Sequence, residues 1–131
     1  MNKIFENVCI TGAGNGIGQA IAIAMSKEGY NVICADINFE EAEKTVEIIS
    51  SHNGSGLAIK TDVTNVEDIK DMVNKVVEQF GSLDILVNNA GVTRTSSIMD
   101  LDEKDWDWIH NVNAKGTFFC LQTAANQMIK Q

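Results

Sequence analysis

The chain is poor in cysteine, histidine, tyrosine and basic charge, and each shortage removes a class of reading. Of its 131 residues three are cysteine, two are histidine, one is tyrosine and none is proline. No apolar stretch approaches the ~18 residues that a membrane span needs. The N-terminal MNKIFEN lacks the apolar core of a signal peptide. The three cysteines, Cys9, Cys34 and Cys120, are an odd number with no C-x-x-C pair. Cys9 and Cys34 fall inside apolar runs, where a free thiol packs as a small apolar side chain. This usage fits a reducing cytoplasm. Without a secretion signal, Asn53-Gly54-Ser55 reads as a turn rather than a glycosylation site. His52 and His110 stand alone, with no second ligand at helical or loop spacing, so no metal site is expected. Ten basic against eighteen acidic residues leave a formal charge of −8, which argues against a nucleic-acid partner. The absence of proline excludes nothing by itself.

What is present is an ordinary globular composition, 44% apolar and 21% charged. A chain of this length reads as a single domain over residues 1–131, able to bury roughly two thirds of its unfolded surface.

Residues 5–36 organise the rest. The apolar run Val8-Cys9-Ile10 leads into Thr11-Gly12-Ala13-Gly14-Asn15-Gly16-Ile17-Gly18. A helix-period segment follows, with Ile17, Ala20, Ile21 and Ala24 spaced i, i+3, i+4, i+7. A second run, Val32-Ile33-Cys34-Ala35, ends on Asp36. Strand, glycine turn, helix, strand and carboxylate make one βαβ unit suited to a dinucleotide. A strand passing directly into a helix leaves N–H groups unpaired at the positive end of the helix dipole, where a pyrophosphate fits. Gly12 would permit the tight exit from the strand, Gly16 the close approach of phosphates, and Gly18 the packing of helix on sheet. Asp36 lies where a carboxylate takes the adenosine ribose hydroxyls. The bland reading of the glycines is a strand–helix turn that needs positive φ.

Further along, Asn38 with Glu41 forms a capping box for a helix that runs to about Ser51, buries Ala42, Val46 and Ile49, and closes at Asn53-Gly54. Residues 56–61 read as a third strand ending at Asp62-Val63, and Thr64 with Glu67 forms another capping box. The next helix carries the cleanest stripe, Ile69, Met72, Val73, Val76, Val77 and Phe80, and stops at Gly81. Residues 83–87 give a fourth strand. Alternating strands and helices predict a parallel sheet of order 3-2-1-4, with ligands at the switch point between strands one and four.

Strand four runs into Asn88-Asn89-Ala90-Gly91, where small residues beside two side-chain amides suit either a bound ligand or a polar turn. Residues 93–99 form a polar loop. Asp102 then opens a helical region through Trp106, Ile109, Val112, Phe118, Leu121, Ala125, Met128 and Ile129, with a bend at Gly116.

TGAGNGIG, Asp36, Asp62-Val63, the NNAG at 88–91 and the segment from Trp106 to Asn113-Ala114-Lys115-Gly116 occur together in the order and spacing of one family. In them the chain resembles the short-chain dehydrogenase/reductase family along its whole length. The resemblance implies an α/β, Rossmann-type doubly wound sheet. It implies a nicotinamide cofactor with Gly12, Asn15, Gly16 and Ile17 at the pyrophosphate and Gly18 beneath them. Asp36 and Ile37 would flank the adenosine ribose, Asp62 and Val63 the adenine, and Asn89, Ala90 and Gly91 the other ribose. Asn113 matches the helix asparagine that holds a water in the family's proton relay, although an asparagine at a helix bend explains it equally.

A 2′-phosphate beside Asp36 would meet like charge, and neither Asn15 nor Ile37 is a cation, so NAD is expected over NADP. The family's reaction interconverts a secondary alcohol and a ketone, using a Ser and a Tyr-x-x-x-Lys pair. Here the single tyrosine is Tyr30, with Cys34 four residues on, and the sequence stops before a fifth strand. Family members are about twice as long. The expectation is therefore a truncated cofactor half that does not turn over, belonging to a dimer or tetramer. The alternatives are a non-catalytic NAD(H)-binding module or a subunit completed by another chain.

Overall fold

Every residue of β1, Asn7–Thr11, is buried, the signature of a strand covered on both faces. Its side chains alternate between two apolar layers. Val8 and Ile10 join Val32, Cys34, Ala42 and Ile49 on one face, and Cys9 joins Ile33, Ile59, Ile69, Met72 and Cys120 on the other. The structure, a computed structural model, describes residues 4–131. Residues 1–3, the start of the segment read for a signal peptide, lie outside the described residues.

Around β1 the chain adds α1 (Gly16–Lys27), β2 (Asn31–Asp36), α2 (Phe39–Ser51), β3 (Ser55–Lys60), α3 (Val66–Phe80) and β4 (Ile85–Val87). The strands pair in parallel in the order β3-β2-β1-β4. The predicted α/β doubly wound sheet is therefore observed, including its strand order. After β4 a segment without regular strands or helices leads to α4 (Glu103–His110), a π-helical segment (Asn111–Gly116) and α5 (Thr117–Lys130). No helix among the described residues is long and apolar enough to cross a membrane.

Local signals explain most boundaries. Asn38 caps α2 by accepting from the Glu41 N–H at 3.3 Å, and Asp102 caps α4 by accepting from the Asp105 N–H at 2.8 Å. Asn53 takes a left-handed conformation (φ 64°) after α2, and Gly81 does so after α3 (φ 87°).

Four expectations need correction. The buried line of α1 is Gly18, Ala22 and Ser26; of the expected stripe only Ile21 packs, half-buried, against the core, and Ile17, Ala20 and Ala24 are exposed. This helix sits so close to the sheet that only small side chains fit beneath it. The cap of α3 is Asn65, which accepts from the N–H groups of Glu67 and Asp68. Thr64 is drawn away by Asp62, whose Oδ1 accepts from both its N–H and its hydroxyl. The box at Asn38 is only half made, because Glu41 pairs with Lys44 at 2.7 Å and the Asn38 N–H donates to Asp36 Oδ1. Finally, the helical region from Asp102 is not one helix bent at Gly116 but α4, a π turn and α5, of which α5 buries Cys120 and Ala124 and leaves Phe118, Leu121 and Ile129 exposed. Gly116 adopts ordinary right-handed helical angles; a Cβ there would lie 2.9 Å from the Val63 carbonyl oxygen, so contact rather than flexibility demands glycine.

All three cysteines are free and buried. Burial, with Asp36 adding, pushes the Cys34 thiol up from 9.0 to about 12, and burial raises Cys120 to about 11. Burial, then Cys120 and Cys34, also raises Cys9. The unfolded chain ionises these thiols at lower pH than the folded one. The resulting stability is full below about pH 9 and is lost as pH rises toward 12, at about 1 kcal/mol per thiol per pH unit. Urea midpoints should fall between pH 8 and pH 10.5, and less steeply in Cys34→Ala. At pH 8 a thiol reagent should label the protein only in denaturant; rapid labelling of the native chain would contradict this burial.

Candidate functional site

The turn between β1 and α1 is built around two contacts that exclude side chains. Gly12 leaves the strand with φ 68°, and a Cβ there would lie 3.0 Å from the Ala90 Cα. A Cβ on Gly18 would overlap the Gly12 carbonyl oxygen, so α1 starts directly against the strand end. Gly16, with φ 55°, has open space where its Cβ would be, leaving the turn bare toward solvent. Asn15 precedes the helix without a capping side-chain hydrogen bond, and the first turn of α1 contains no acid. Helices α2, α3 and α4 begin with capping side chains and acidic first turns. The N-terminus of α1 thus retains its positive dipole end for an anion from outside.

Side chains from β1, the end of β4, α2 and β2 hold this turn. Thr11 Oγ1 accepts from the N–H groups of Asn89 (3.1 Å) and Ala90 (3.0 Å). Asn89 Nδ2 donates to the carbonyls of Thr11 and Gly12, each at 3.1 Å. From the other side, the buried Thr45 hydroxyl donates to the Ala13 carbonyl at 2.8 Å and accepts from Gln19 Nε2 at 3.1 Å. Asp36 closes the arrangement. Its Oδ2 accepts from the Gly14 N–H at 2.8 Å and its Oδ1 from the Asn38 N–H at 2.9 Å. These bonds aim the carboxylate at the C-terminal end of the sheet.

A cleft of about 520 Å³ opens there, over the crevice between β1 and β4. Of the residues singled out from the sequence, Gly12, Asn15, Ile17, Asp36, Ile37, Asp62, Val63, Asn89, Ala90 and Gly91 line it. Gly16 lies between two of them, and Gly18 lies beneath the turn. Asn113 does not line the cleft. Its Oδ1 accepts from the Val92 N–H and its Nδ2 donates to the Val92 carbonyl, both at 2.8 Å, clamping the segment after β4 to the π turn.

Trp108, Val92, Val112 and Thr61 also line the cleft without having been singled out. Arg94 ties Trp108 into place, pairing with Asp105 at 3.1 Å and lying 5.8 Å above the indole. Gly14, Thr11 and Thr45 were missed as well. Gly14 had a visible signal, since it stands within the glycine motif; a Cβ there would sit 2.8 Å from Asp36 Oδ2. Thr45 had none, because its role depends on how α2 docks.

An uncapped helix start, a bare glycine turn and a carboxylate at the tip of the neighbouring strand define a dinucleotide-binding protein of Rossmann type. The description short chain dehydrogenase matches residues 6–131. The chain belongs to the short-chain dehydrogenase/reductase family of nicotinamide-dependent oxidoreductases. It is 42% identical over 133 residues to a 3-oxoacyl-[acyl-carrier-protein] reductase FabG of Staphylococcus aureus, covering 98% of this chain and 53% of that protein. A reductase of the same description from Thermotoga maritima is 42% identical over 130 residues, with the same coverage. Among solved structures, a short-chain type dehydrogenase/reductase from Mycobacterium marinum superposes with a TM-score of 0.94 at 29% identity, over 96% of this chain and 51% of its own. A putative D-mannonate oxidoreductase from Haemophilus influenza with bound NAD gives 0.88 at 29% identity, over 94% and 50%. The chain spans about half the length of the curated relatives it matches.

Thr11→Val keeps the side-chain volume but leaves the Ala90 N–H without its acceptor. It should lower unfolding stability by about 2 kcal/mol in urea titrations. An unchanged midpoint would show that Thr11 does not hold the turn.

Proposed function

We propose that the chain is the cofactor-binding half of an NAD-dependent oxidoreductase that interconverts a secondary alcohol and a ketone. The observation that carries this reading is the uncapped N-terminus of α1 beneath a bare glycine turn, in the same cleft as Asp36. Residues 1–131 then act as one dinucleotide-binding domain. Gly12, Asn15, Gly16 and Ile17 receive the pyrophosphate, and Gly18 sets how closely it approaches. Asp36 and Ile37 meet the adenosine ribose, Asp62 and Val63 the adenine, and Asn89, Ala90 and Gly91 the second ribose. The bound nicotinamide supplies or accepts the hydride. Asn113 fixes Val92 through its amide, and in the whole enzyme it holds the relay water.

The preference for NAD over NADP rests on charge. Asp36 is held by two backbone N–H groups, so it cannot swing away from a 2′-phosphate without breaking them. Absence of turnover by this chain rests on the missing Tyr-x-x-x-Lys. Tyr30 precedes β2, at the end of that strand opposite Asp36. Exposed Trp106, Phe118, Leu121 and Ile129 on α4 and α5 support a homo-oligomer, and three free thiols suit the cytoplasm.

Fluorescence titration should show NADH binding roughly tenfold tighter than NADPH. Asp36→Ala should remove most of that difference. Tighter binding of NADPH by the unaltered chain would overturn the NAD assignment, and binding of neither would overturn the cofactor reading. Sedimentation should show self-association that Leu121→Glu weakens; a monomer at all concentrations would remove the oligomer.

A further inference from the structure

Asp36 and Lys60 are partners at the last position of the β2–β3 ladder. Paired residues on adjacent parallel strands lie about 4.8 Å apart across the sheet and project from the same face. The backbones of the two residues therefore adjoin at the tip of the sheet, 24 positions apart in sequence, while the Asp36 carboxylate is bonded to the Gly14 and Asn38 N–H groups and forms no ion pair with the lysine. Lys60 is exposed, and it is held in none of the ion pairs among the described residues, which join Lys44 to Glu41, Lys70 to Glu67 and Arg94 to Asp105. Its four-carbon stem leaves the ammonium free to move toward a new anion.

The surroundings give that anion room. An open groove of about 1010 Å³ runs along β3, and Ile37 lines both this groove and the cofactor cleft. Lys60, Lys75, Glu40 and Glu78 are its charged residues, so its formal charges cancel. Of these, Lys60 alone is in ladder register with Asp36. Lys75 and Glu78 stand on α3, and Glu40 in the first turn of α2.

We propose that Lys60 is a specificity-determining residue for the ribose end of the cofactor. From the groove that Ile37 shares with the cleft, it provides a cation for a 2′-phosphate projecting past Ile37. Discrimination against the phosphorylated cofactor is therefore partial rather than absolute. The inference rests on the reading of the cleft as a nicotinamide-dinucleotide site, and it adds a residue from a different strand to the choice between the two cofactors.

The test is a set of NADH and NADPH titrations of the 131-residue chain and its Lys60→Met, Lys60→Glu and Lys60→Arg variants. Lys60→Met should raise the ratio of the NADPH to the NADH dissociation constant roughly fivefold, with less effect at high salt. Lys60→Glu should raise it further and Lys60→Arg should preserve it. A ratio that stays constant across Met and Glu would overturn the proposal, as would equal weakening of both cofactors. If the unaltered chain binds neither, the cofactor reading itself fails and the inference with it. If NADH binds and only the ratio refuses to move, the cofactor reading stands and the role of Lys60 falls.

Discussion

The helix α1 begins on the carbonyl of Gly12 with no side chain between them, and the rest of the site depends on that contact. It puts the first turn of the helix at the rim of the sheet instead of a layer above it. The N–H groups there face the cleft, and the dipole end remains positive because neither a capping side chain nor an acid neutralises it. The same closeness accounts for the small residues Gly18, Ala22 and Ser26 along the buried line of α1.

A bare turn is a weak structural element, and the fold compensates with hydrogen bonds from three directions. Thr11 and Asn89 join it to the end of β4, Thr45 supports it from α2, and Asp36 accepts from Gly14 across β2. Each partner comes from a different segment, so the turn is ordered only once the sheet and α2 have assembled. The site is consequently preorganised, with the carboxylate and helix end already fixed before a ligand arrives.

The opposite end of the chain follows a different logic. A π turn lies between α4 and α5, and Asn113 within it holds Val92 through its amide. The following helix buries Cys120 and Ala124 and presents Phe118, Leu121 and Ile129 to solvent. That outward apolar face accompanies a chain spanning about half the length of its curated relatives.

The sequence alone determined the features that depend on local spacing. The TGxxxGxG turn, the acid ending the second apolar run, the six-residue stripe of α3 and the glycine and asparagine stops are short-range patterns, and the alternation of strands and helices limits the sheet to a parallel one. The tertiary structure decided what depends on which surfaces meet. The stripe of α1 was misphased because its close packing on the sheet is invisible to a 3.6-residue count. Thr45 reached the glycine turn through the docking of α2, and strand register set the backbone of Lys60 beside that of Asp36. Such long-range placements arise from packing between distant segments, and no local pattern of residues encodes them.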